Sequence, residues 1–320
     1  MKRRVLVLSG GIGGAKLVLG FKHLLAPGEL TVVVNTGDDF EHLGLTICPD
    51  IDTTLYTLAG LDNRALGWGR QDESWNVMDA LARYDGPTWF RLGDRDLALH
   101  LVRTQRLALG ERLTTIIASI ALLQGINATV LPMCDQPVRT IIETADGELS
   151  FQHYFVRDQC RPVIRAIRYD GAQAAIVTPE IEAAFRAPEL AAVILAPSNP
   201  YLSIGPLLAL PGLRRLLATT PVPVVAISPI IGGAAVKGPT AKIMAELGVD
   251  CSAANVATHY RGLIDGYILD QRDAALAAGI DLPTFVTHTL MQSLDDRIRL
   301  AREALTFATS LGTLARGRRA

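Results

Sequence analysis

The chain has 320 residues, enough to bury a sizeable core as one large domain or two. Hydrophobic residues make up 49% and charged residues 20%, and the formal net charge is −1. That balance gives no electrostatic case for nucleic acid or an anionic membrane surface, so neither is an expected partner.

The basic start, Lys2-Arg3-Arg4, runs directly into the apolar Val5 to Leu8. That run is too short for a secretory segment and suits a strand buried on both faces of a parallel sheet. Ser9, Gly10, Gly11, Gly13 and Gly14 follow, and then Ala15, Leu17, Val18, Phe21 and Leu24 recur at helical spacing. The pattern is strand, glycine turn, helix. Such a turn cradles phosphate on the amides of the helix start, or it simply packs helix on strand. It is not a Walker loop, because no Gly-Lys-Ser/Thr ends it, and Lys16 stands where a dinucleotide fingerprint needs its third glycine.

Leu30 to Asn35 predicts a second strand, leading into Thr36-Gly37-Asp38-Asp39. A right-handed crossover would bring Asp38-Asp39 and the glycine turn to one crevice. The aspartates there suit a ribose, a Mg²⁺ ion beside phosphates, or an ordinary Gly-Asp turn. Pro49 and Asp50 read as a helix start with Asp50 as N-cap and Asp52 in the first turn. Two residues apart on a helix, these carboxylates diverge, so they do not both chelate one ion from the helix body. Asp62 to Gln71, with Arg64, Gly67, Trp68, Gly69 and Arg70, suits a planar ligand or phosphate, or a packed surface loop.

Helices are expected over about Ser74 to Tyr84, Leu97 to Leu109 with Leu97, Leu101 and His100 inward, and Leu113 to Gln124. The charged turn Trp89 to Asp96 precedes the second of these. Leu113 to Ile126 comes nearest to a membrane span, and Thr114, Thr115, Ser119, Gln124 and Gly125 interrupt it. Residues 50–127 thus read as a mostly helical insertion. Thr129 to Met133 resumes the sheet. Arg139 to Thr144 and Leu149 to Val156, around Asp146-Gly147, form a hairpin signal within an extension at about 137–170, a surface suited to a homodimer.

Ala191 to Ala196 and Pro221 to Ser228 are further buried strands, each ending in a turn rich in small residues: 197–206 and 228–239. Three such strand ends on one sheet argue for a nucleotide or a ligand with several anionic groups. Ile264 to Asp270, Phe285 to Leu290 and a helix from Asp295 to Phe307 close the sheet. The expected fold is α/β, a Rossmann-like mostly parallel sheet flanked by helices, in a single domain over 1–310 with a basic, frayed tail at 311–320. Cys48, Cys134, Cys160 and Cys251 are scattered with no CxxC pair, which argues against a disulfide framework or zinc site and for a cytoplasmic chain.

The stretches SGGIGGAK (9–16), VVNTGDD (33–39), CPDIDTTLYTLAG (48–60), LGDRDLALHLVRTQ (92–105), LAPSNPYLSIGPLLALPG (195–212) and SPIIGG with KGP (228–239) stand in a specific order and spacing. In these the chain resembles the phospholactate transferase family of deazaflavin coenzyme F-420 biosynthesis. The resemblance implies transfer of a phosphorylated small acid (phospholactyl, phosphoenolpyruvyl or phosphoglyceryl) from a GDP-linked donor to the deazaflavin Fo, with Mg²⁺ and release of GMP. It implies that Asp52 and Arg91 contact Fo, with Asp94 beside them, and that both are catalytic: Asp52 as base, metal ligand or Fo anchor, and Arg91 by stabilising charge on the diphosphate. The family often has Lys where Arg91 stands, which keeps the charge and changes its geometry. Asp38, with Asp52 as a second possibility, is the candidate metal ligand. Gly10, Gly11, Gly13, Gly14, Lys16, Ser198, Asn199, Ile230, Ile231 and Gly232 would hold the donor. The alternatives are a UDP-sugar-binding regulator sharing the glycine loop and an NAD-dependent oxidoreductase, against which the missing third glycine counts.

Overall fold

The computed structural model describes residues 3–63, 68–236 and 238–312. Arg64, Gly67, Lys237 and the tail from 313 onward lie outside the described residues.

Strand β1 (Arg4–Ser9) enters the glycine turn, α1 (Gly11–Leu24) follows, and β2 (Leu30–Val34) comes next. A small antiparallel hairpin, β3 (Phe40–His42) with β4 (Leu45–Ile47), precedes four helices. These are α2 (Pro49–Ala59), α3 (Asn76–Arg83), α4 (Asp94–Ala108) and α5 (Leu113–Leu123). After β5 (Thr129–Pro132), the strands β6 (Arg139–Thr144), β7 (Gly147–Ser150) and β8 (Ile164–Asp170) form a separate antiparallel sheet. Then come α6 (Pro179–Arg186), β9 (Leu190–Leu195), α7 (Gly205–Ala209), α8 (Pro211–Thr219) and β10 (Val224–Ile227). A two-residue ladder, β11 (Ile230–Ile231) with β12 (Ala234–Ala235), leads to α9 (Thr240–Glu246) and α10 (Ala253–His259). The described chain ends with β13 (Gly266–Asp270), β14 (Thr284–Thr287) and α11 (Leu294–Leu311).

The central sheet has seven strands in the order β14-β13-β10-β9-β1-β2-β5. Every pairing in it is parallel. Side chains alternate across the sheet. Val5 and Val7 therefore join a core with Leu17, Val18 and Phe21 of α1 and Leu300 and Ala304 of α11. Leu6 and Leu8 join the opposite core with Leu213 and Leu217 of α8 and Val256 of α10. Gly20 lets α1 and α11 touch, since a Cβ there would collide with the Arg297 carbonyl. The chain leaves β1 first toward β2 and β5 and later returns to its other side at β9. The order reverses there, and in such sheets the crevice at the strands' carboxyl ends holds the ligand.

Several expectations need correction. The strand predicted over Leu149 to Val156 stops at Ser150, and a short π-helical turn, His153–Arg157, follows. Phe151, Tyr154 and Phe155 recur at helical spacing, and a turn buries Tyr154 while stacking the two phenylalanines at 5.3 Å. Leu101 is 56% exposed, because α4 turns Leu97, His100 and Arg103 inward instead. The N-cap of α2 is Cys48, and Asp50 spends its carboxylate elsewhere. The β3–β4 hairpin carries no Asn-Gly or Asp-Gly signal; it turns on Leu43 and Gly44, both at positive φ.

Candidate active site

A cavity of about 400 Å³ opens at the carboxyl ends of β1 and β9. Gly10, Gly11, Gly13, Lys16, Asp38, Asp50, Asp52, Arg91, Ser198, Asn199 and Ile231 all line it. The predicted glycine turn and acidic segments thus meet. Gly14 and Ile230 are buried behind the wall, and Asp94 and Gly232 also lie outside the lining.

The turn packs closely and faces the cavity at once. Gly11 takes φ +64°, where glycine is favoured. A Cβ on Gly13 would stand 2.8 Å from the Pro197 carbonyl, so only glycine lets α1 start against the β9 loop. The Ser198 hydroxyl donates to the Gly10 carbonyl at 2.7 Å and clamps the two loops together. Asn199 accepts from the Tyr201 and Leu202 amides at 2.9 and 3.0 Å, and its own amide donates to Thr240 Oγ1. Lys16 Nζ donates to the Met291 carbonyl at 3.3 Å.

Two carboxylates stand together beside this turn, and they are Asp38 and Asp50. Asp50 accepts from Asn35 Nδ2 at 2.9 Å and from the Gly11 amide at the start of α1. Burial pushes Asp50 up to about 6 despite those hydrogen bonds. Burial, and next the charge of Asp50, push Asp38 well above the usual carboxylate range. Asp39 is pushed up to about 8, again chiefly by burial.

Asp52 is not part of this pair. Its oxygens take a bidentate fork from Arg103 at 2.6 and 2.9 Å, and Arg103 has no solvent exposure. Asp52, the second possibility as metal ligand, is thus engaged by Arg103, and the carboxylate beside Asp38 is that of Asp50, two residues earlier. Arg103, His100, Asp96 and Tyr56 were not singled out in the sequence as site residues. The one available signal was the spacing of Asp96, His100 and Arg103 on a single face of α4.

Arg91 sits at the cavity with its guanidinium 4.1 Å from the Trp75 ring centroid, a cation–π contact. Phe90, which lines the cavity, packs edge-on against Phe40 at 4.8 Å. Phe151, Phe155 and Trp68 add further aromatic lining. Asp94 is placed differently from the expectation. Its carboxylate accepts from the Asn76 and Val77 amides at 3.0 and 3.1 Å, together with the Ser74 hydroxyl, so it fastens the start of α3. Those hydrogen bonds draw Asp94 down to about 2. Gly232 is likewise occupied: its amide and that of Gly233 donate to Asp273 at 2.8 and 3.1 Å rather than into the cavity.

Among the described residues, no group of three or more His, Cys, Asp or Glu side chains forms a metal-binding cluster. No helix among them is long and apolar enough to cross a membrane.

Residues 5–281 match the family described as 2-phospho-L-lactate transferase CofD. A phosphoenolpyruvate transferase of Streptomyces griseus is 42% identical over 317 residues, covering 95% of this chain and 98% of that protein. A 2-phospho-L-lactate transferase of Methanosarcina mazei is 38% identical over 271 residues, covering 85% and 88%. A solved structure of a UPF0052 family member from Bacillus halodurans aligns with a TM-score of 0.62 at 15% identity, covering 95% of this chain and 99% of that one. At that identity it supports the α/β fold alone. The glycine turn, the Asp38–Asp50 pair and the α2 acidic segment all lie inside the matched span, and the chain belongs to the 2-phospho-L-lactate transferase family.

Proposed function

We propose that the chain transfers a phosphorylated small acid from a GDP-linked donor to the terminal ribityl hydroxyl of Fo. The observation that carries this reading is one cavity lined by two kinds of group. The glycine turn, Lys16 and the Ser198-Asn199 loop suit a diphosphate. Phe90, Phe151, Phe155 and Trp68 suit a planar ring, and Asp52 suits hydroxyl groups.

In this reaction the hydroxyl oxygen bonds to the donor's β-phosphorus. The bond from that phosphorus to the oxygen bridging the α-phosphate breaks, and GMP leaves. Such transfers depend on positioning and charge neutralisation more than on covalent help from the protein. The α1 amides and Lys16 hold the diphosphate, Asp52 orients the hydroxyl, and Arg91 adds positive charge at the mouth.

The residues present fit Mg²⁺. Asp38 and Asp50 offer hard oxygen donors, both buried and both destabilised as anions by burial, with the charge of Asp50 adding to the cost at Asp38. One or two carboxylates plus substrate phosphates is the usual Mg²⁺ arrangement. Bound there, the ion would neutralise charge on the diphosphate. Asp52, already paired with Arg103, is left to the acceptor.

The test incubates the purified protein with Fo, Mg²⁺ and each GDP-linked acid in turn, the phospholactyl, phosphoenolpyruvyl and phosphoglyceryl forms, and follows products by mass spectrometry. One donor is expected to give the Fo phosphodiester and an equal amount of GMP. No product from any donor, together with binding of UDP-N-acetylglucosamine, would overturn the reading in favour of a sugar-nucleotide-binding regulator.

A further inference from the structure

The cavity wall made by α2 and α4 carries a buried polar chain that holding a diphosphate does not require. On α4, Asp96, His100 and Arg103 fall at i, i+4 and i+7 and share one face; on α2, Asp52 and Tyr56 fall at i and i+4 and meet them. Behind its fork onto Asp52, Arg103 donates through Nε to the Thr46 carbonyl at 3.2 Å. Its Nη2 also lies 2.7 Å from His100 Nδ1. A guanidinium only donates, so Nδ1 accepts and the imidazole proton resides on Nε2. That nitrogen lies 3.3 Å from Asp96 Oδ1 without hydrogen-bond geometry, and Asp96 Oδ1 accepts from the Tyr56 hydroxyl.

The chain leads to the cavity. Asp52, Tyr56, Asp96 and His100 line it, and Arg103 lies behind them. Exposure of the side chain rises from 0% at Arg103 and 1% at His100 to 7% at Asp52 and 17% at Asp96. A helix seam with only a packing role is served as well by apolar residues, without the cost of desolvating a guanidinium and two carboxylates. Each carboxylate has about four lone-pair sites, and the protein's donors leave some of them open toward the cavity. Burial opposes charge on Asp96, yet the adjacent His100 ring and the hydrogen bond from Tyr56, with Arg103 nearby, hold its carboxyl below the usual range.

We propose that this wall is a polyol site. Asp96, together with Asp52, accepts hydrogen bonds from the hydroxyl-bearing chain of the acceptor substrate, and Arg103 is the positioning residue that fixes Asp52. The inference rests on the transferase reading above and names the part of the protein that reads the acceptor's ribityl chain. Two acceptors on two rigid helices select neighbouring hydroxyl donors and turn their protons away from the diphosphate. The attacking oxygen then presents a lone pair to the phosphorus. Held by the Arg103 fork, Asp52 orients the hydroxyl, and the hydroxyl proton passes to water as the new P–O bond forms.

The test uses the full chain with Fo, measuring binding by deazaflavin fluorescence, GDP binding by calorimetry, and steady-state kinetics. Asp96→Asn is expected to weaken Fo binding and raise the Fo KM about tenfold, with GDP affinity and the donor KM within about twofold of the parent. Arg103→Lys keeps the charge and loses the fork, so it is expected to lower kcat at least about tenfold while GDP still binds normally. Riboflavin carries the same ribityl chain on a different ring; it is expected to bind weakly to the parent and about tenfold more weakly to Asp96→Asn. If the parent binds Fo and Asp96→Asn, melting like the parent, binds it equally well, the polyol site is refuted. Equal losses of Fo and GDP binding in both variants reduce the wall to a structural element and also refute it. A parent that binds no Fo overturns the transferase reading, and this inference with it.

Discussion

Asp50 and Asp52 differ by two positions in α2 and meet opposite surroundings. Asp52 neutralises a guanidinium that has no access to water. Asp50 is buried beside Asp38, whose carboxyl its charge pushes up, and is itself held by Asn35 and the Gly11 amide. Neutralising the two therefore changes stability in opposite directions. Asp52→Asn leaves Arg103 buried and unpaired and is expected to cost about 3–5 kcal/mol, besides abolishing transfer. Asp50→Asn keeps an acceptor for the Gly11 amide and removes a like-charge neighbour, so the metal-free protein is expected to hold its stability or gain about 1 kcal/mol. Chemical denaturation of both variants without divalent cations checks this, and a similar loss in both would contradict it. Ser198 shows the same residue-scale economy, since one hydroxyl joins loops whose residues are 188 positions apart.

At the scale of elements, the cavity's aromatic wall has its own acid sensitivity. Trp89, whose neighbour Phe90 lines the cavity, lies 5.1 Å from His42 on β3 and 4.8 Å from His153 in the π-turn. Both histidines are lowered from 6.5, first by burial. His42 feels the charge of His153, and His153 feels Arg157 against an opposing Asp158. A lowered folded value means that the unfolded chain takes up protons first as pH falls. The stability these rings contribute is thus complete above the ordinary histidine value of about 6.5 and is lost as pH drops from there through the folded values. Melting temperatures at pH 7.5 and 5.5 test this. Substituting both histidines by Phe is expected to shrink the acid-induced drop, and an unchanged drop would exclude them as its source. These elements also mark what could be read from the sequence. The glycine turn was legible because its requirement is local: Gly11 needs positive φ and Gly13 a bare Cα, and both show as glycine. Arg103 was not, because its partner Asp52 lies 51 residues away and an Arg on an amphipathic helix ordinarily reads as solvated. The Gly232 loop failed in the same way, since the carboxylate that fills it, Asp273, arrives 41 residues later. The strand expected over Leu149 to Val156 was misread because Phe151, Tyr154 and Phe155 fit helical spacing as well as a mixed β pattern.

For the whole molecule, the reversal of strand order at β1 sets where free energy from ligands enters. The Asp38 segment follows β2, the glycine turn follows β1, and the Ser198 loop follows β9, so a ligand in the crevice ties together both halves of the sheet. A ligand that binds only the folded chain stabilises it by RT ln(1 + [L]/Kd), about 2.7 kcal/mol at a hundredfold excess over Kd. The buried Asp38–Asp50 repulsion makes the metal-free protein the strained form. Mg²⁺ alone is therefore expected to raise the melting temperature in a saturable way, and GDP to raise it further only when Mg²⁺ is present. In Asp50→Asn the Mg²⁺ response should vanish, while Fo still stabilises the protein, because Asp52 and Asp96 are untouched. If that variant instead kept the parent's full response to Mg²⁺, the ion would have to sit elsewhere, and the pairing of Asp38 with Asp50 would be only a strained feature of the crevice.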